Sequence, residues 1–239
     1  MHFLDLTFPT PAMNLACDEA LLSEREAGQG GELLRVWEPA SYFVVLGRSN
    51  PVRRDVDEKA CHMRNIPFFR RTSGGGTVLL GPGCLNYSLI LSIGPESPYQ
   101  NLSTTYSAIL QRHRQAVGEL MGLEIQIQGI SDLTMGNQKF SGNAQRRKKR
   151  FLLFHGTFLL HFDLSLIGQL LPLPGEAPEY RAGRPHEDFL ANLGVSASAL
   201  KECLRKTWMA QEPLEEIPLE KTRDLAGGFL SDPEWIYQY

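Results

Sequence analysis

At 239 residues, with 42% hydrophobic and 21% charged residues, the chain can bury a large core and has the composition of a soluble globular protein. A net charge of −3 gives no overall drive toward nucleic acid or an anionic membrane, and no apolar run reaches the length of a membrane-spanning helix. Cys17, Cys61, Cys84 and Cys203 form no C-x-x-C pair, which argues against a zinc ribbon or a disulfide framework, and no basic leader opens the chain, so a cytoplasmic location is expected.

In chain order, residues 3–7 read as a first strand, broken by Pro9 and Pro11. Asn14 is then placed to cap a helix running to about Ala27, with Gly28 just past its end. Glu19 falls at the edge of that helix's apolar side, where a carboxylate either marks the boundary or faces a cation. Residues 33–37 and 42–47 read as two strands joined by a turn, and 55–64 as a short amphipathic helix. Strands at 66–70 and 77–80 flank a glycine loop, and 85–93 alternates as a longer strand. A helix is expected over 103–121, with His113 at the core edge or surface. Short strands follow at 124–128 and 132–135, then a strand over 151–162 covered on both faces. Residues 172–185 form a long loop, 199–209 a helix, and 227–239 an irregular or short-strand tail. Strands and helices are interspersed without repeats, so the class is α/β (α+β) around one sheet, and a single domain over 1–239 is expected.

The chain is organised around Arg70-Arg71-Thr72-Ser73-Gly74-Gly75-Gly76-Thr77. Three consecutive glycines sacrifice backbone entropy and packing, which points to unusual φ angles or to backbone lying close to a ligand. Two arginines at the mouth suit a carboxylate or phosphate, and alternation predicts that one of them points inward. The plainer reading is a hairpin loop with solvated arginines. Lys139 follows a turn and precedes Ser141, Gly142 and Ala144, where nothing requires a lysine for packing. An ammonium beside glycine backbone suits a carboxylate being activated or the charge that develops in acyl transfer; a strand-edge lysine that discourages aggregation is the alternative. Walker, nucleophile-elbow and H-E-x-x-H motifs are absent, and no cluster of metal ligands is evident.

Taken in order, Asn14-Leu15-Ala16 with Glu19, residues 70–76, Leu85-Asn86 with Ser88, Ser131-Asp132-Leu133, Lys139 through Ser141-Gly142 to Ala144, and His155-Gly156-Thr157 form a set. It resembles the biotin/lipoate protein ligase family, and most closely the lipoate–protein ligases. The resemblance implies a class II synthetase-like, biotin-ligase-like catalytic domain with a mixed, mostly antiparallel sheet, and no C-terminal accessory domain is expected. It implies activation of lipoate or octanoate by ATP with Mg2+ to an acyl-adenylate. Acyl transfer then goes to a lysine of a lipoyl-domain protein, such as a 2-oxo-acid dehydrogenase E2 or the glycine cleavage H protein. Lys139 would contact the acyl carbonyl and α-phosphate. Arg70, Arg71, Ser73, Gly74, Gly75 and Gly76 would line the acyl-phosphate site, and the backbone of Thr77, Val78 and Leu79 would lie beside the adenine. Asp132 would place the acceptor lysine or the nucleotide, with Asn86, Ser141, Gly142, His155 and Gly156 completing the substrate site. Long ligases continue past the position of Trp235 into an accessory domain, so adenylation here could depend on a separate partner chain.

Two other readings stay open. Cys84 stands where the family carries an asparagine, and relatives of this fold transfer octanoyl or lipoyl groups through a cysteine thioester without ATP. A Cys84 thiolate beside Arg70 or Lys139 would be a good nucleophile; otherwise Cys84 is a small apolar residue in a turn. Residues 146–150 are all basic and could serve a binding module for nucleic acid or dock an acidic lipoyl domain, but with no interleaved aromatic they read as a solvated hairpin loop.

Overall fold

The computed structural model describes residues 1–239. Strand β1 (His2–Asp5) leads to helix α1 (Pro11–Glu26). Thr10 caps α1, accepting from the Met13 N–H, and Pro11 supplies a first helical residue that needs no donor. Asn14 is therefore inside the helix rather than its cap; its amide is bonded to the main chain of Phe8 instead. Strands β2 (Leu33–Trp37) and β3 (Phe43–Leu46) form as expected on either side of a turn, and they belong to different sheets. The helix expected over 55–64 is two short ones, α2 (Val52–Asp55) and α3 (Glu58–Met63), the second capped by Asp57. Strands β4 (Phe68–Arg70) and β5 (Val78–Leu80) flank the glycine loop, and β6 (Cys84–Ser92) follows.

Helix α4 (Leu102–Met121) opens on a capping box between Asn101 and Thr104 and closes on Gly122 at φ 63°. Strands β7 (Ile125–Gln128), β8 (Asp132–Met135), β9 (Gln138–Arg147) and β10 (Phe151–Leu159) then form a meander. Beyond it lie α5 (Ser165–Leu170), α6 (His186–Phe189), α7 (Ala197–Thr207) and β11 (Glu212–Pro213). The last elements are α8 (Leu219–Gly227) and α9 (Pro233–Ile236), so the expected irregular tail is mostly helical.

The main sheet runs β11-β1-β2-β6-β10-β9-β8-β7, and only the two pairings of β1 are parallel. This is the expected mixed, mostly antiparallel α/β arrangement. A second sheet, β4-β3-β5, carries the glycine loop between its outer strands. Alternation sorts the central strands into two faces. Leu85, Tyr87, Leu89 and Leu91 of β6, with Leu152, Phe154 and Phe158 of β10, pack against Ile109, Leu110 and Val117 of α4 and Leu200 and Leu204 of α7. On the other face, Leu33, Ile90 and Leu153 meet Cys17, Leu21 and Leu22 of α1. That second face also carries Arg35, Asn86, Ser88, His155 and Thr157, a concentration of polar groups that a core alone would not select.

Candidate active site

The polar face is tied together before any ligand is considered. Arg35, fully buried, donates to Asp18 Oδ1 at 2.7 Å, to Asn14 Oδ1 at 2.8 Å and to the Asn14 carbonyl at 2.8 Å. Ser88 Oγ donates to the other oxygen of Asp18 at 2.7 Å. This network fixes α1 on the sheet and was missed in the sequence; its only signal is a charged residue in the centre of an apolar strand. One pair further along, Thr157 Oγ1 donates to Asn86 Oδ1 at 2.6 Å, while Asn86 Nδ2 is buried without a partner.

The glycine loop is wrapped around Arg71. Its guanidinium donates to the carbonyls of Gly74, at 2.6 and 3.1 Å, and of Gly76, at 2.8 Å. With those carbonyls drawn inward, the backbone N–H groups of Thr72, Ser73, Gly74, Gly75, Gly76 and Thr77 donate to no group of the chain. Such a run of free donors is an anion cradle. Gly75 has φ 87° and its absent Cβ would stand 3.0 Å from Arg71 Nη2; a Cβ on Gly47 would stand 2.0 Å from the Gly75 carbonyl oxygen. Burial lowers Arg71 to about 10, which leaves it a cation at neutral pH. Ser73 Oγ lies 2.6 Å from His155 Nε2, and burial, reinforced by Arg71, pushes His155 down to about 3, so the ring is neutral. Thr72 donates to Glu19, whose second oxygen pairs with Arg146 at 2.7 Å. Glu19 is thus the carboxylate facing a cation. Leu15, Glu19, Arg71, Ser73, His155 and Leu230 border a small cleft beneath the loop.

Lys139 reaches this face through a defect in its strand. Leu133 pairs with Ser141 but Thr134 pairs with Lys139, so Phe140 is an extra residue, a bulge. Phe140 turns into the apolar core with Phe158 while Lys139 turns to the polar face. There its Nζ lies 2.8 Å from Asp132 Oδ1. A Cβ on Gly142 would come within 2.8 Å of Nζ, so Gly142 provides the room in which the ammonium sits. Asp132 Oδ2 accepts from Tyr180 at 2.7 Å.

Other expected residues are placed differently. Arg70 is fully buried but does not face the loop. Its guanidinium donates to the carbonyls of Gly47, Asn50 and Ile236, at 2.8, 2.7 and 2.6 Å, so an acyl-phosphate would find its donors engaged. β4 ends at Arg70, and alternation sends its side chain away from that of Phe69, toward the C-terminal segment. Ser141 and Gly156 fall on the core face. A Cβ on Gly156 would lie 2.0 Å from Asn143 Oδ1, which accepts from Tyr87 at 2.6 Å, so this glycine makes room for a buried hydrogen bond. Thr77 donates to Asp55 Oδ2 at 2.9 Å, Val78 packs with the aromatics around Trp37, and Leu79 is buried beside Val44.

Cys84 does not lie beside a cation. It is buried with Val44, Leu46 and Leu79, and burial pushes its thiol up to about 12. Burial likewise raises Cys17 to about 12 and Cys61 to about 11, and Cys203 of α7 is raised too. The basic run closes the β9–β10 hairpin, with Lys149 and Arg150 exposed as a solvated turn, while its first residues are engaged: Arg146 pairs with Glu19, Arg147 donates to the Tyr99 carbonyl at 2.7 Å, and Lys148 donates to Ser23 at 3.2 Å. His113 is fully buried and accepts from Trp208 Nε1 at 2.8 Å.

The polar face of this α/β sheet thus carries a glycine loop with free N–H donors, a cleft bordered by Arg71, Ser73 and His155, and the inward-turned Lys139. Residues 10–204 match the model of the lipoyl protein ligase A/B catalytic domain, and the chain belongs to that family. It is 29% identical over 215 residues to lipoate–protein ligase 1 of Staphylococcus aureus, covering 87% of this chain and 63% of that protein. It is also 30% identical over 183 residues to the octanoyltransferase LipM of Clostridioides difficile, covering 67% and 65%. The chain thus spans less than two thirds of the length of both relatives. A lipoate–protein ligase A solved with bound ATP superposes with a TM-score of 0.80 at 23% identity, covering 99% of this chain and 98% of that one. A bi-partite lipoate protein ligase, solved in a study of it and its E2 lipoyl domain from Thermoplasma acidophilum, superposes at 0.80 and 22%, covering 99% and 95%. These structures share the fold. No helix is long and apolar enough to cross a membrane.

Proposed function

We propose that the chain joins lipoate to a lysine of a lipoyl-domain protein in two steps, adenylation by MgATP and then acyl transfer. The observation that carries this reading is the bulge at Phe140. It costs a ladder pairing, and its effect is to turn an ammonium onto the polar face beside Asp132. In adenylation a carboxylate oxygen attacks the α-phosphorus and pyrophosphate leaves. Lys139 would draw carboxylate and α-phosphate together against their mutual repulsion, and the free N–H groups of residues 72–77 would take charge on the phosphoryl oxygens. The cleft beside Leu15 and Leu230 would receive the acyl chain. Neutral His155 fixes Ser73 at its rim. In transfer, the acceptor amine attacks the acyl carbonyl and AMP departs; Asp132 is the carboxylate near enough to orient that amine. No group of three His, Cys, Asp or Glu side chains is gathered in the chain, so Mg2+ would be held through the nucleotide's phosphates.

The adenine is assigned to the backbone near Thr77 and Val78, and the acceptor to an E2 lipoyl domain or an H protein in the cytoplasm. The bi-partite ligase of T. acidophilum supports testing adenylation both alone and with a second chain. Transfer without ATP is the second reading, favoured by the LipM relative. It requires a reactive thiol, and every cysteine here is held above its ordinary pKa by burial. Lipoyl-AMP formed from lipoate and MgATP by the wild type, and lost in Lys139→Ala, tests the reading.

A further inference from the structure

The segment between α5 and α7 folds back over the β8–β9 turn. Tyr180 donates to Asp132 Oδ2 at 2.7 Å, and Arg184 Nη2 donates to the Asn137 carbonyl at 2.9 Å. The main chain of Leu190 bridges to that of Lys139, and the Ala191 N–H donates to the Lys139 carbonyl at 2.9 Å. This docking carries Arg181 and Arg184 to the side of Lys139. Both guanidiniums lie over the ring of Phe189, with Cζ atoms 4.6 and 5.3 Å from its centroid.

Two like charges on one ring repel, and neither has an acid to answer it. No ion pair of the chain includes Arg181 or Arg184, although Glu179, Glu187 and Asp188 are close in sequence. Asp132, the carboxylate of this corner, is already paired with Lys139. Arg181 is the more unbalanced of the two. Its residue is 5% exposed, yet of its N–H groups only Nε is used, donating to the Arg184 carbonyl at 3.0 Å. Nη2 is buried without a partner. A guanidinium held this way costs free energy until a multi-oxygen anion meets it.

We propose that Arg181 binds the β- and γ-phosphates of the nucleotide and holds the pyrophosphate that leaves when the acyl-adenylate forms, an inference that rests on the ligase reading above. In that step a carboxylate oxygen bonds to the α-phosphorus. The bond from the α-phosphorus to the α–β bridging oxygen breaks, and its electron pair departs on pyrophosphate. Lys139 and the glycine loop would be taken up by the carboxylate and α-phosphate, and the segment docked on the Lys139 main chain carries two further cations, Arg181 and Arg184. Arg184 adds to the positive field while its own Nη2 secures the segment.

The test is calorimetric titration of magnesium pyrophosphate into the full-length chain and its Arg181→Gln and Arg181→Lys variants, with KM for ATP and for lipoate measured alongside. Loss of a bidentate, charge-assisted contact is expected to weaken pyrophosphate binding by about tenfold or more in Arg181→Gln. KM for ATP should rise by a similar factor while KM for lipoate stays within about twofold, a split that general loosening of the fold would not produce. Arg181→Lys keeps the charge without the fork and should recover part of the loss; it carries the comparison if the glutamine variant fails to fold. Equal pyrophosphate affinity in all three proteins overturns the proposal. Pyrophosphate binding that depends on Arg181 in a chain that makes no lipoyl-AMP would keep this anion site and remove the ligase reading. Lipoyl-AMP synthesis with an unchanged KM for ATP in Arg181→Gln would do the reverse.

Discussion

Lys139 is where the account is most exposed at the scale of single residues. Lys139→Ala removes an ammonium that is partly accessible and paired with one carboxylate, so the fold should survive and acyl-adenylate formation should fall by about a hundredfold or more. Gly142→Ala separates position from charge. The added Cβ meets the flexible end of Lys139, so unfolding free energy should change by less than about 1 kcal/mol, while adenylation falls by about tenfold because Nζ is displaced. Adenylation at the wild-type rate in Gly142→Ala would show that the ammonium works elsewhere. His113 and His155 are both depressed to about 3 by burial. A histidine with a folded pKa below its unfolded value takes up a proton on unfolding at acid pH. Their contribution is therefore complete above about pH 6.5 and is lost as pH falls from there toward 3, at up to about 1.4 kcal/mol per pH unit each. Urea titrations at pH 7.5 and 5 should show the drop, and a His113→Phe variant should show less of it.

At the scale of elements, the glycine loop depends on what lies behind it. Arg70 ties β4 to the turn after β3 and to the carbonyl of Ile236 in α9, while Trp235 Nε1 donates back to the Arg70 carbonyl at 2.9 Å. Arg70→Ala leaves several buried carbonyls without donors and should cost about 3 kcal/mol or more, read as a lower Tm and urea midpoint. Full stability in that variant would mean the clamp is not made. The same region shows what was legible beforehand. Arg71, the triple glycine and the spacing to Lys139 were readable because they are local and chemically odd. The role of Arg70 was not, since its acceptors are backbone carbonyls of the turn after β3 and of α9, the latter 166 residues away, which no local pattern reveals. The two strands β2 and β3 were legible as strands, but their membership of different sheets was not, since neighbouring apolar runs read alike whether or not they join one sheet. The bulge at Phe140 left no mark either, because an inserted residue alters register without altering composition.

At the scale of the whole molecule, the sheet works as a divider. One face is apolar and packs α4 and α7; the other concentrates Arg35, Asn86, Ser88 and His155 beneath α1 and the glycine loop. The class and the order of its motifs were legible because alternation survives in β6 and a nearly unbroken apolar run marks β10. The helical ending at α8 and α9 was not, since short helices with several polar residues carry little periodic signal. Cys84 illustrates the same limit from the other side: its identity invited a nucleophile, and only its burial among Val44, Leu46 and Leu79 removes the cation that would activate it. The central claim is that the polar face activates lipoate rather than relaying an acyl group through sulfur. It is tested by the intact mass of an apo lipoyl domain incubated with this chain, once with lipoate and MgATP and once with octanoyl-carrier protein and no ATP. A lipoyl mass increment is expected only in the first tube; an octanoyl increment only in the second would contradict activation by this face.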